Sequence, residues 1–337
     1  MKINRTSLLE LLNVASVGLT ARELLEQSNA FVFHNGELIT FNGEILTRVT
    51  SPLEDVEGAV SADDFYKLLS KFPDDEVEIF VKGEEIRVKA GKRSAGMRRG
   101  AEVFLPYSDV PRNKTWHDAP AGLMGTLLQA ARVCGRDETQ PRTTEVHVTP
   151  DRIEASDNFR LFQCMLETGF EAEALLPATS VEKIGAVIPK QIAHRGGWFH
   201  VKNRDGHKIA VRCSSGDYPD LEPHLQVEDQ RKVVLPKTLV EILSRASVMH
   251  ETAFDACVTV KIEEGQLTLT AKKETGWYRE SEKVKYRGPA LRFDVHPKFL
   301  EDVLSKTRTV RIGGNRMKIA TEDTTFVVCL EMGGEDE

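Results

Sequence analysis

No run of about 18 apolar residues occurs in the 337-residue chain, so membrane-spanning helices are not among the expected elements. The opening MKINRTSLLELLNVAS lacks the apolar core and cleavage pattern of a signal peptide. It reads as an amphipathic helix, and a cytoplasmic protein with no membrane partner is expected. Cysteine is scarce: Cys134, Cys164, Cys213, Cys257 and Cys329 are scattered with no CxxC spacing. An odd number at irregular intervals argues against a disulfide framework and a zinc site, and predicts reduced, mostly buried thiols. Catalytic signatures are missing as well. There is no HExxH, no GxSxG elbow, and neither a Walker nor a dinucleotide glycine pattern. His147 and the His194-Arg195-Gly196-Gly197 stretch stand alone. Asp157 lies in a Ser-Asp-Asn triplet like that of a β-lactamase, but the SxxK and KTG companions are absent from suitable positions. No enzyme activity, metal or cofactor is expected.

The chain is 40% hydrophobic and 29% charged, ordinary globular material long enough for two or three domains. A net charge of −7 weighs against a nucleic-acid partner unless the basic residues are confined to one surface.

The strongest positive signal is internal repetition. VSADDFYKLL from Val60, LPATSVEKIG from Leu176 and VHPKFLEDVL from Val295 each pass from an apolar residue through a polar or proline start into a helix-spaced apolar pattern. Their starts are 116 and 119 residues apart. A second helix repeats nearly in phase: SLLELLNVASV from Ser7, GLMGTLLQAARV from Gly122 and TLVEILSRASV from Thr238. Between the helices lie alternating runs such as AFVFHNGELITF, EVEIFVKGEEIRVKAG and VTVKIEEGQLTLTAKK, whose turns suit β-hairpins. Proline and polar residues cluster at 111–120 and 217–232. The expected architecture is α+β, in three tandem domains at 1–114, 115–229 and 230–337, the last ending in an acidic tail.

Across essentially its whole length the sequence resembles the bacterial DNA polymerase III beta subunit, the DNA sliding clamp. VSADDFYKLLSKFPDDEVEIFVKGEEIRVKAGK and EVFLPYSDVP are similar to parts of the family's first domain. IEASDNFRLFQ resembles the second-domain motif Ala-Thr-Asp-Gly-His-Arg-Leu, GDYPD resembles Gly-x-Phe-Pro-Asp, and TTFVVCLEM stands in the place of the terminal strand. The resemblance implies three repeats of the clamp fold and a head-to-tail homodimeric ring, with sheets outside and helices lining a hole for duplex DNA. It places Leu68, Val248 and Met249 at the subunit junction. It also implies a cleft that receives short peptides of DNA polymerase and clamp loader. The matching positions are Ser156, Asn158, Phe159, Arg160, Leu161, Pro219, Val327, Val328, Cys329, Leu330 and Met332. Phe159 stands where the family has His, and no Met-Pro-Met ends the chain; these departures fit a divergent clamp, including one encoded by a phage.

A clamp that slides should touch phosphates weakly and read no bases. That calls for basic residues on helices: Lys67 and Lys71, Arg132 and Arg136, Lys183 and Lys190, Arg245, Lys298 and Lys306, with Arg22 in a loop. Pairs four or seven apart share a helix face. Glu182, Glu301 and Asp302 dilute the field. Two other readings stay open: these cations as solvated charges with i,i+4 partners, and the chain as a repeat-built interaction or structural module that binds no DNA.

Overall fold

The computed structural model describes residues 2–228, 230–249, 257–304 and 307–331, without the side chains of residues 301–303. Lys306, Met332 and the acidic tail lie outside the described residues, as do the side chains of Glu301 and Asp302. The element order runs β-α-β-β-β-β-α-β-β-β three times. The first series is β1 (Lys2–Asn4), α1 (Arg5–Ala15), β2 (Ala30–His34), β3 (Glu37–Phe41), β4 (Ile45–Thr50), β5 (Gly58–Ser61), α2 (Ala62–Lys71), β6 (Glu76–Lys82), β7 (Glu85–Ala90) and β8 (Arg93–Arg98). The second is β9 (His117–Asp118), α3 (Leu123–Val133), β10 (Glu145–Val148), β11 (Arg152–Ser156), β12 (Arg160–Met165), β13 (Ala174–Pro177), α4 (Ala178–Ile184), β14 (Pro189–Arg195), β15 (Trp198–Asn203) and β16 (Lys208–Arg212). The third is β17 (Arg231–Val234), α5 (Leu239–Ala246), β18 (Val258–Glu263), β19 (Gln266–Lys273), β20 (Gly276–Lys283), β21 (Leu291–Val295), α6 (Pro297–Leu304), β22 (Thr309–Gly313), β23 (Arg316–Ala320) and β24 (Thr324–Cys329). The architecture is α+β, with short helices and antiparallel pairing. No helix among the described residues is long and apolar enough to cross a membrane.

The chain forms two compact units. The first comprises Met1–Ala131, Val146–Pro150 and Glu167–Gly216; the second comprises Arg132–Glu145, Asp151–Leu166 and Asp217–Glu337. In the first unit, one sheet has the order β1-β6-β7-β8 and the other β5-β2-β3-β4-β16-β15-β14-β9. Asn35 and Gly36 both adopt positive φ, and His34 pairs with Glu37, so a two-residue primed turn joins β2 to β3. Helix α1 starts at Asn4, whose side chain accepts from the Ser7 amide at 2.9 Å. At its far end the buried Thr40 and Thr47 hydroxyls donate to the Ala15 carbonyl at 2.5 and 3.2 Å, satisfying an acceptor the helix leaves open. Leu8 and Leu12 of α1 and Phe65 and Leu69 of α2 turn inward onto Phe31, Phe33, Val77 and Val88. The Phe65 ring meets Phe31 and Phe33 edge-on at 6.4 and 6.2 Å. Burying such a ring contributes about 2–3 kcal/mol over leaving it exposed.

The second unit holds the sheet β20-β19-β18-β21 and the run β11-β12-β24-β23-β22-β17. Helix α5 buries Leu239, Ile242, Leu243 and Ala246 at the 3.6-residue spacing read from the sequence. Strand β20 has no apolar alternation and was not among the expected strands. It is an edge strand whose charged residues, Arg279, Glu280, Glu282 and Lys283, are tolerated because one side has no partner among the described residues. Of the thiols, Cys134 and Cys164 are buried and Cys213 is half-buried, whereas Cys257 and Cys329 are exposed, which corrects the mostly buried expectation.

Candidate functional site

Within the second unit a groove of about 350 Å³ opens on the face of the β11-β12-β24-β23 sheet. Its floor is apolar. Leu161 of β12 lies directly opposite Val327 of β24, and both pack with Leu221 and Leu225 in one buried cluster. Tyr218 and Pro219 form a wall, and burial pushes the Tyr218 hydroxyl pKa well above its usual range. Phe159 stands at the rim, 63% exposed, an unusual position for a large apolar ring. Arg142, held by Glu145 at 2.7 Å, and Arg316 add positive charge to the lining, with Asp220 as a nearby carboxylate.

The turn that carries Phe159 is tightly fixed. Asp157 Oδ1 accepts from the Phe159 and Arg160 amides at 3.0 and 2.6 Å. Asn158 adopts φ 73°, which asparagine tolerates better than most residues. Ser156 Oγ donates to the Arg160 carbonyl at 2.9 Å and accepts from the Asn158 amide. Arg160 contributes to the lining, but its guanidinium points into the protein. It pairs with Asp157 Oδ2 at 2.9 Å, donates to the Arg132 and Val133 carbonyls at the end of α3, and lies 4.3 Å from the Phe299 ring centroid. A cation at a helix C-terminus is favourably placed.

Of the cleft positions drawn from the resemblance, Ser156, Asn158, Phe159, Arg160, Leu161, Pro219, Val327 and Cys329 line this groove. Val328 and Leu330 do not. Strand alternation turns Val328 to the opposite face of β24 from Val327 and Cys329, and both Val328 and Leu330 are buried. Sequence reasoning missed Arg142, Thr143, Tyr218, Asp220, Leu221, His224 and Arg316. Arg316 was reachable in principle, since it pairs with Cys329 across the β23-β24 hairpin.

The candidate DNA contacts fall into three groups. Lys71, Arg132, Lys183 and Lys298 are exposed on helices and Arg22 is exposed in a loop, without an ion pair among the described residues. Lys67 is tied to Asp63 at 2.7 Å, whose hydrogen bond raises the lysine pKa. Arg245 is tied to Glu280 at 2.9 Å, and the hydrogen bonds it donates to Tyr278 and Glu280 raise its pKa. Two helical placements need correction. Helix α3 ends at Val133, so Arg136 follows it in the segment where the Gly135 amide donates to Thr143 O at 2.7 Å. Helix α4 ends at Ile184, and Pro189, which disfavours helix in the residue before it, opens the strand that carries Lys190. Neither pair shares a helix face. Of the junction positions, Val248 is 66% exposed, Met249 half-buried, and Leu68 packs partly against the core of the first unit.

No protein-family model and no curated protein sequence matches the chain. Solved structures do. A DNA polymerase sliding clamp from Bacillus subtilis superposes with a TM-score of 0.84 at 17% identity, covering 99% of both chains. A DNA polymerase III beta chain from Streptococcus pneumoniae gives 0.83 at 18% identity, covering 98% of this chain and 99% of the other. A sliding clamp from Pseudomonas aeruginosa gives 0.79 at 19% identity over 99% of both. The chain therefore has the fold of these clamps. All three are bacterial, and a phage source draws no support from them.

Proposed function

We propose that this chain is a DNA sliding clamp, a processivity factor without catalytic activity of its own. The observation that carries the reading is the likeness of fold along 99% of the chain to solved DNA polymerase sliding clamps. The thrice-repeated element order supports a division into three clamp domains at 1–114, 115–229 and 230–337. Two such subunits, head to tail, would close a ring around duplex DNA. The exposed cations Arg22, Lys71, Arg132, Lys183 and Lys298 would touch phosphates without reading sequence. Edge strands β8 and β20 suit ring closure, since each presents a strand edge, unpaired among the described residues, that a second copy could extend. Leu68, Val248 and Met249 would add apolar contact there. The Leu161-Val327 groove would seat the peptide segments of polymerase and loader, with Phe159 as an aromatic wall.

Light scattering with small-angle X-ray scattering tests the reading first. A mass of twice 37.7 kDa and a hollow profile are expected, followed by retention on nicked circular DNA that is lost on linearisation. A monomer at every concentration would remove the topological mechanism and favour an interaction module that binds no DNA.

A further inference from the structure

The floor of the groove continues sideways into a row of cations. Across the sheet, Leu161 pairs with Val327, Val327 with Lys318, Lys318 with Arg311, and Arg311 with Lys232. Directly paired residues in an antiparallel sheet project from the same face, so all five lie on the groove face. Arg316 stands on that face beside Lys318, opposite the groove residue Cys329.

Three cations in consecutive cross-strand positions repel one another, and like charges directly opposite destabilise a sheet. Among the described residues nothing offsets this with a carboxylate. Arg311 donates to the Gln230 side-chain oxygen at 3.2 Å, Lys318 to the Leu225 carbonyl at 2.9 Å, and Arg316 to the His224 and Gln226 carbonyls at 3.5 and 3.4 Å. All are neutral acceptors. Lys232 and Arg311 are exposed, Lys318 and Arg316 half-buried. A repulsive row that begins at an apolar floor has the form of a two-part recognition surface.

We propose that this row binds the acidic flank of a partner peptide whose apolar anchor rests on Leu161 and Val327; the assignment rests on the groove being the partner site proposed above. From Val327 to Lys232 is three strand spacings, about 14 Å, which four or five residues of extended peptide span. The partner is therefore a short segment with apolar anchors and two or three Asp or Glu within about five residues of them. Duplex DNA fits less well, because a phosphate backbone gains nothing from the apolar floor at which the row starts.

The test is fluorescence anisotropy on the full chain with three probes: a peptide with a two-leucine anchor and a Glu-Asp-Glu flank, the same peptide with Gln-Asn-Gln, and a short DNA duplex. The acidic flank should strengthen binding by about tenfold at low salt, a gain that shrinks as salt is raised. The triple variant Lys232→Gln, Arg311→Gln, Lys318→Gln should abolish that gain and leave the neutral-flank affinity unchanged. Equal affinity of the two peptides for the unaltered chain would overturn the role of the row while leaving the groove as a partner site. Failure of both peptides to bind would sink the row and the groove together. Capture of the duplex by the unaltered chain but not by the triple variant would reassign the row to nucleic acid and overturn the peptide reading.

Discussion

Replacing Arg160 with methionine separates its structural role from that of the groove around it. The residue belongs to the lining, yet it is only 8% exposed, and its partner Asp157 has a side chain only 11% exposed. Arg160→Met keeps most of the volume and removes the charge. Asp157 then retains its two amide bonds but loses the guanidinium at 2.9 Å, and the Arg132 and Val133 carbonyls lose their donor. Breaking one side of a buried pair typically costs about 3–5 kcal/mol. The amides that still hold Asp157 bring the expectation toward the lower end, and loss of the contact with Phe299 adds about 1 kcal/mol. A destabilisation of about 4 kcal/mol follows, which lowers the melting temperature of the second unit by roughly 10 °C. Calorimetry and urea titration measure it. The second arm is Asp157→Asn with Arg160→Met. Once both charges are gone the remaining penalty should fall, giving a coupling of about 2 kcal/mol between the two sites. A single variant within about 1 kcal/mol of the unaltered protein, or strictly additive effects, would refute the reasoning.

Two further outcomes follow from the first unit. Burial lowers the His200 pKa to about 4, with His194 and Arg48 adding to the shift, and its Nε2 has no hydrogen-bond partner among the described residues. The unfolded chain binds a proton near pH 6.5 while the folded state does not, so stability should fall by about 2–3 kcal/mol between pH 7 and pH 4.5; in His200→Phe, urea midpoints measured across that range should lose this slope. A Cβ at Gly18 would lie 2.5 Å from Thr40 Oγ1 and 2.8 Å from Thr40 O, where Thr40 holds the end of α1. Gly18→Ala should therefore cost about 2 kcal/mol in thermal unfolding, and an unchanged melting temperature would count against this close approach.

The fold was legible wherever one face of an element is buried. Helices α2 and α5 announce themselves by their apolar spacing, and the Asn35-Gly36 turn by its residue types. Strand β20 was not legible, because an exposed edge strand needs no apolar alternation and its sequence, GWYRESEK, looks like a charged loop. Helix ends failed for a related reason. Arg136 and Lys190 follow the spacing of a continuing helix, but α3 ends at Val133 and α4 at Ile184, each followed within two residues by a glycine, Gly135 and Gly185, which disfavours helix. At the groove, the turn from Ser156 to Leu161 was readable as a motif, but the inward course of Arg160 and the position of Arg316 were not. Both depend on which strand lies beside which, and β12 pairs with β24 across more than 150 residues of sequence.

The net charge of −7 says little about where this chain can bind anions, because its cations do not act alike. Lys67 and Arg245 are neutralised locally by Asp63 and Glu280, so a phosphate would have to compete with a carboxylate already in place. Arg160 is committed to Asp157 and the end of α3. Two other sets have no carboxylate partner among the described residues: dispersed exposed cations, Lys71, Arg132, Lys183 and Lys298 on helices with Arg22 in a loop, and the contiguous row Lys232, Arg311 and Lys318 on a sheet. Dispersed charges hold a ligand without fixing its register, as a surface that lets DNA slide requires. A row anchored at an apolar floor fixes both register and direction, as recognition of one short segment requires. On the proposed reading, the same residue types would support unspecific and specific binding in one chain, divided by spacing and by what lies next to them.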